Sequence, residues 1–175
     1  MGLTSSATVV LVEGASDQAA VEALARRHGR DLEREGVTVV PIGGAQAIGR
    51  FLERYREAWL AGLYDVAQER EFLRGLERAG LGRLGFFACV EDLEDELIRA
   101  LGPAAVVAVL ETHGDLGPFR TFQKQPEWRE QPVDRQLRRF LGSGSRRKIR
   151  YARHLVDALD LDRVPPPLEG LLAHV

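Results

Sequence analysis

Cysteine is nearly absent. Cys89 is the only one in 175 residues, so no internal disulfide framework is available. It lies in the apolar run Gly85-Phe86-Phe87-Ala88-Cys89-Val90 and reads as a small buried packing residue. Long apolar runs are missing as well. Nothing approaches the roughly 18 consecutive apolar residues of a membrane span, so no membrane partner is expected. The start, Met1-Gly2-Leu3-Thr4-Ser5-Ser6, lacks the basic region and apolar stretch of a secretory signal. With the scarce cysteine, this gives a cytoplasmic location as the expectation. Repeats and low-complexity tracts are absent. The four histidines, His28, His113, His154 and His174, show no ligand spacing and read as structural or surface residues. Aromatic residues make up 7% of the chain, and Trp59 and Trp128 read as core or interface residues rather than base-stacking platforms.

What is present is an ordinary globular balance, 45% hydrophobic and 29% charged. That length allows one domain with a good core and a small helical appendage. The net charge of −2 conceals an uneven distribution. Residues 1–134 carry a net −7, residues 135–153 a net +8 with no acid at all, and residues 154–175 a net −3. The basic segment is either a surface for a polyanion or a solvated helix face.

The first hundred residues alternate strand and helix. The patterns predict strands at Thr8–Glu13, Val37–Ile42, Leu60–Tyr64 (ending at Asp65) and Gly85–Val90. Between and after them they predict helices at Ser16–His28, Ala45–Ala58, Gln68–Ala79 and Glu91–Leu101, with Ser16 as an N-cap. Strands separated by helices of this length form βαβ units on a parallel sheet. After Pro103 the strand pattern stops. Ala104–His113 reads as helix or strand, with helix favoured because proline suits a first helical position. Residues 114–132 read as irregular with a short helix near Phe119–Lys124, and Lys124 is a weak candidate phosphate contact. Asp134–Leu141, Arg146–Leu159 and Leu168–His174 read as helices. The division is therefore a core over residues 1–103 and a helical extension over 104–175.

Acids fall at equivalent places on this scaffold. Glu13 ends the first strand and Asp65 the third, and Glu91, Asp92, Glu94, Asp95 and Glu96 follow the fourth. Asp17 sits one helical turn after Glu13, where it also complements the helix dipole. Parallel strands bring their carboxyl ends to one edge of the sheet, the usual ligand edge of open α/β folds. Crowded carboxylates repel one another, and a hard cation with oxygen ligands relieves that. Two such ions would activate a water and stabilise the leaving oxygen in phosphodiester cleavage.

This arrangement resembles a known family. Val10-Leu11-Val12-Glu13-Gly14-Ala15-Ser16-Asp17, the glycine-ended second strand and Leu63-Tyr64-Asp65 are similar to a Toprim domain. The similarity is strongest to the Toprim nuclease domain of the OLD (overcoming lysogenization defect) family. There Leu93-Glu94 resembles a later acidic motif, and Ser145-Arg146-Arg147-Lys148-Ile149-Arg150-Tyr151-Ala152 a late basic motif on a helix. The resemblance implies an α/β Toprim (Rossmann-like) fold, with a roughly four-stranded, largely parallel sheet flanked by helices and a C-terminal helical extension. It implies a Mg²⁺- or Mn²⁺-dependent nuclease or nucleotidyl hydrolase with two ions, cleaving DNA. Glu13 would be metal ligand or general base, Asp17 the second acid of its motif, Asp65 the first acid of an Asp-x-Asp pair, and Glu94 the acid after strand four, with Asp92 or Glu96 as its companion. Lys148 would stabilise charge on the phosphate, and Arg147 and Arg150 would be further nucleic-acid contacts.

The sequence departs from that pattern in two ways. The second position of Asp-x-Asp is Ala67, whose methyl group binds no metal; Glu69, four residues after Asp65, is the candidate substitute, or a water fills the gap. No Gly-x-x-x-x-Gly-Lys-Ser/Thr loop occurs, so the chain corresponds to the nuclease half alone. It would act by itself, as a homodimer, or with a separately encoded ATPase. The alternative to an enzyme is a degenerate Toprim module that binds metal, nucleic acid or an ATPase partner without catalysis. A phospho-receiver domain, which also uses acids after strands one and three, fits poorly: Gly14 rather than an acid follows Glu13, and Lys148 lies on a late helix.

Overall fold

The computed structural model describes residues 7–175, so the reading of Met1–Ser6 falls outside the described residues. Four strands form one sheet: β1 (Thr8–Val12), β2 (Val37–Pro41), β3 (Trp59–Asp65) and β4 (Phe86–Cys89). Their order is β2-β1-β3-β4, and every neighbouring pair is parallel. This is an α/β architecture, a parallel sheet with helices on both faces. β1 and β3 are central, buried on both sides and hence almost entirely apolar.

Alternation along these strands separates two apolar layers. Val10, Val12, Ala61, Leu63 and Cys89 face one layer; Val9, Leu11, Tyr64 and Phe86 face the other. The first layer is covered by α1 (Ala15–Arg27), the second by α2 (Ile48–Arg54) and α3 (Glu69–Arg78). Gly62 is required where β3 passes β1, because a Cβ there would collide with the Leu11 carbonyl oxygen.

After α4 (Leu93–Leu101), five further helices follow: α5 (Pro103–Thr112), α6 (Leu116–Gln123), α7 (Val133–Gly142), α8 (Ser145–Ala158) and α9 (Pro166–His174). Among the described residues no strand follows β4, but the core continues past residue 103. Phe119, Leu137, Leu155 and Leu171 pack in the same apolar cluster as Val10 and Leu24. Each fully buried leucine contributes about 2 kcal/mol. Two arginines on or just after α1 tie the extension down. Arg27 donates to the Val156 and Leu159 carbonyls at 2.8 and 2.6 Å. Arg30 donates to those of Leu172 and Val175 at 2.6 and 2.8 Å. These carbonyls lie at the C-terminal ends of α8 and α9, where helix carbonyls run short of backbone donors; that of Val156 also accepts from the Leu159 amide at 3.2 Å.

Three sequence expectations change in detail. Ser16 is not a cap: it is buried, Gly14 occupies the N-cap position, and the Asp17 carboxylate accepts from the Gly14 amide at 2.8 Å. The helix expected over 45–58 is a 3₁₀ turn at Ala45–Ala47 followed by α2, because the chain must turn at residues 55–58 to deliver Trp59 into register with Thr8. The helix expected near Phe119–Lys124 begins earlier, at Leu116.

Candidate functional site

Glu13 emerges at the carboxyl end of β1 and is held through its backbone and its side chain. Its carbonyl oxygen accepts from the Gly43 and Gly44 amides at 2.9 and 3.3 Å. Those residues take φ of 77° and 108°, a left-handed pair that glycine adopts without a Cβ clash. Its carboxylate accepts from Gln68 Nε2 at 3.2 Å, and Gln68 Oε1 in turn accepts from the Ala45 amide at 3.1 Å. Gln68 therefore ties the ends of β1, β2 and β3 together. The sequence reading missed it, since a glutamine three residues past a strand carries no signal of its own.

Asp65 ends β3, the strand beside β1, and so stands near Glu13 at the same edge of the sheet. Burial, then the neighbouring Glu13, Asp17 and Asp92 charges, push its pKa up to about 8. Asp17 is raised to about 7, first by burial and then by Glu94, with the Gly14 amide and Lys148 opposing. Glu94, on the first turn of α4, is only 5% exposed, and burial raises its pKa too. Lys148, on the first turn of α8, places Nζ 3.4 Å from Glu94 Oε2. Burial disfavours the ammonium, but the Glu94 and Asp17 carboxylates outweigh that and hold its pKa above the ordinary value. Glu13, Asp17, Asp65, Glu94 and Lys148 thus lie within electrostatic reach of one another at one edge of the sheet.

Other predicted site residues are engaged elsewhere. Glu69 is turned away: its carboxylate accepts from the Tyr64 hydroxyl at 3.2 Å and from Arg83 at 2.6 Å, on the α2–α3 side of the sheet. It does not replace the acid missing at Ala67, because strand alternation sends Asp65 and Tyr64 to opposite faces. Glu96 accepts from the Val90 amide at 2.8 Å and from Arg99 at 3.0 Å, which makes it a brace for the β4–α4 turn. Asp92 caps α4 through the Asp95 amide at 2.8 Å and pairs with Arg138 at 2.6 Å. The Arg147 guanidinium stacks over Phe140 at 4.3 Å and donates to Ser143 Oγ at 2.8 Å. Arg150 is bound to Asp115. Neither arginine is presented to the acidic edge as the basic motif implied.

The donor set is all oxygen, which suits a hard cation and not a soft one. Glu13 and Asp65, at the ends of neighbouring strands with Asp17 one helical turn on, would suit such an ion, because its charge would offset their repulsion. Glu94 fits less well, since Lys148 already supplies its positive charge. Among the described residues, no three His, Cys, Asp or Glu side chains are gathered into a ready-made metal cage. Burial, and then Asp65, raise the Cys89 pKa and leave it a thiol.

Among the described residues, no helix is long and apolar enough to cross a membrane. The sequence matches no curated protein. Residues 6–59 match the family model for the "Overcoming lysogenization defect protein-like, TOPRIM domain". The fold is similar to the C-terminal region of the Burkholderia pseudomallei OLD protein, at TM-score 0.69 and 19% identity, with 96% of each chain covered. It is also similar to the C-terminal region of the Xanthomonas campestris pv. campestris OLD protein. One structure of that region gives TM-score 0.67 and 20% identity over 98% of this chain and 95% of that one; a second gives 0.67 and 22% over 97% and 92%. Residues 6–59, from β1 to the first residue of β3, are therefore similar to an OLD-like TOPRIM domain, and nearly the whole chain shares the fold of the C-terminal region of OLD proteins.

Proposed function

We propose that this protein is a divalent-metal-dependent nuclease that hydrolyses DNA phosphodiesters at the acidic edge of its sheet. The placement of Glu13 and Asp65, two carboxyl groups 52 positions apart in sequence brought to the ends of the neighbouring strands β1 and β3, carries the reading. Such a pair is costly unless something positive is shared between them. Glu13 and Asp65, with Asp17, would hold Mg²⁺ or Mn²⁺, and Glu94 is the candidate for a second ion. The bound cation would supply Lewis acidity and a water activated for attack on phosphorus. Gln68 holds the Glu13 carboxylate in place. Lys148 brings a permanent ammonium to the same edge, where it would neutralise charge building on the phosphate oxygens. These 175 residues hold no Gly-x-x-x-x-Gly-Lys-Ser/Thr loop, so any coupling to ATP hydrolysis would come from outside this sequence.

The test is cleavage of supercoiled, linear and single-stranded DNA with Mg²⁺ or Mn²⁺. The natural protein should cut, and Glu13→Gln and Asp65→Asn should each lose at least about a hundredfold in rate, the scale of a removed electrostatic or acid–base group. Absence of cleavage on every substrate, under conditions where a control nuclease cuts, overturns the reading.

A second reading has its own observation. Ala67 lies exposed in the 3₁₀ turn Val66–Gln68, and Glu69 is committed to Tyr64 and Arg83. An acid is therefore missing from the edge, and the Toprim unit would bind metal and nucleic acid without cutting. Restoration of activity by Ala67→Asp, in a natural protein that has none, would establish this form.

A further inference from the structure

A cleft of about 750 Å³ opens beside the acidic edge, between α4, the turn at residues 127–131 and α7. Trp128, Arg135, Arg139 and Lys148 line it, together with six carboxylates, among them Glu94, Glu127 and Asp134. Two features distinguish it from a solvated groove. The first is the placement of Trp128. Gln136, only 3% exposed, donates to the Trp128 carbonyl at 2.6 Å and accepts from Gln123 at 2.6 Å, so a buried amide is spent on fixing this one turn. The indole itself is half-buried and backed by the Phe122 ring, with centroids 5.2 Å apart and planes 30° apart. The second is the charge. Arg138 is neutralised by Glu91 and Asp92, and Arg147 and Arg150 are engaged elsewhere. Arg135 and Arg139, both exposed on α7, make no ion pair among the described residues, and neither do Glu127 and Asp134, whose carboxylates line the same cleft.

We propose that this cleft holds an unpaired nucleotide of a single strand, with its base against Trp128 and its phosphates on Arg135 and Arg139. The adjoining phosphate would then reach the edge where Lys148 stands. A braced aromatic face with unpaired guanidinium groups beside it is the combination that binds single strands without reading sequence. The volume suits one nucleotide and is too small for a duplex. This assignment rests on the nuclease reading only for the direction in which the strand runs.

The experiment is a binding titration in EDTA, where cleavage plays no part. In a Trp59→Phe background Trp128 is the only tryptophan, and Trp59 lies at the opposite end of the sheet, at the start of β3. A short oligothymidylate should quench Trp128 emission, a blunt duplex of the same length should not, and Arg135→Ala with Arg139→Ala should weaken binding about tenfold. Should Trp59→Phe fail to fold, anisotropy of a labelled oligothymidylate reads the same site. Trp128→Leu should lose about tenfold in affinity, while Trp128→Phe, which keeps a stacking face, should retain most of it. Absence of quenching, equal binding of the duplex, or dTMP binding as tightly as the strand overturns the proposal. Plasmid cleavage without oligonucleotide binding would overturn the cleft and leave the nuclease reading intact; binding without cleavage would do the reverse.

Discussion

Lys148 Nζ lies 3.4 Å from Glu94 Oε2, and this pair joins α8 to α4 across the candidate site. The two ends are unequally buried: the Glu94 side chain is 6% exposed and that of Lys148 is 40% exposed. Removing the lysine leaves a buried carboxylate without its cation, whereas removing the glutamate leaves an ammonium that can turn to water. Lys148→Met should therefore cost more stability than Glu94→Gln, by about 1–2 kcal/mol, less than for a fully buried pair because water reaches Lys148. Urea denaturation of both single variants and the double variant measures this. A double variant no more stable than the sum of the singles would show that the pair is not coupled.

Asp17 gives a pH dependence in the metal-free protein. Its folded pKa of about 7 stands above the unfolded value of 3.8, so the folded state binds more protons between those limits. The associated stability is fully present below about pH 4 and is lost as pH rises through 7. Asp17→Asn keeps an acceptor for the Gly14 amide but never ionises. In EDTA it should raise stability at pH 8 by at least about 1 kcal/mol and flatten the profile between pH 4 and 7. Thermal melts across that range decide it; parallel profiles for the two proteins would place the proton elsewhere.

Ala67→Asp should tighten Mn²⁺ binding, because it adds a carboxylate to an edge that already holds Glu13 and Asp65. About a tenfold gain by calorimetry is expected for one additional oxygen ligand. Glu69→Gln, by contrast, should leave metal affinity unchanged, since Glu69 is held by Tyr64 and Arg83.

Gly62→Ala is predicted to destabilise by about 1–3 kcal/mol, the usual cost of forcing atoms into a packed interior. The new Cβ would strike the Leu11 carbonyl oxygen and press on the Phe86 ring. The urea midpoint should fall with the m-value unchanged.

The pattern of the sheet was legible in the chain because it is local. Apolar runs of five to seven residues ending in Glu13, Gly43 and Asp65 announce parallel strands and their ligand edge. Glu94 and Lys148 were legible through their motifs, and the structure places them in contact. The partners of Glu69, Tyr64 and Arg83, were not legible, because spacing along a helix does not say which face of the sheet a side chain joins. Those of Arg147 and Arg150 were hidden for a related reason: a basic run shows charge but not Phe140, Ser143 and Asp115, which engage it.

The sequence by itself determined the α/β layering, the four strands and the acids that end them, since alternation and turn residues act over a few positions. Only the tertiary structure decided which acids meet, which guanidinium groups remain unpaired, and that Gln68 and Gln136 serve as braces. Those outcomes depend on groups tens of residues apart competing for the same hydrogen bonds and the same cations, and that competition is settled only when the core has closed.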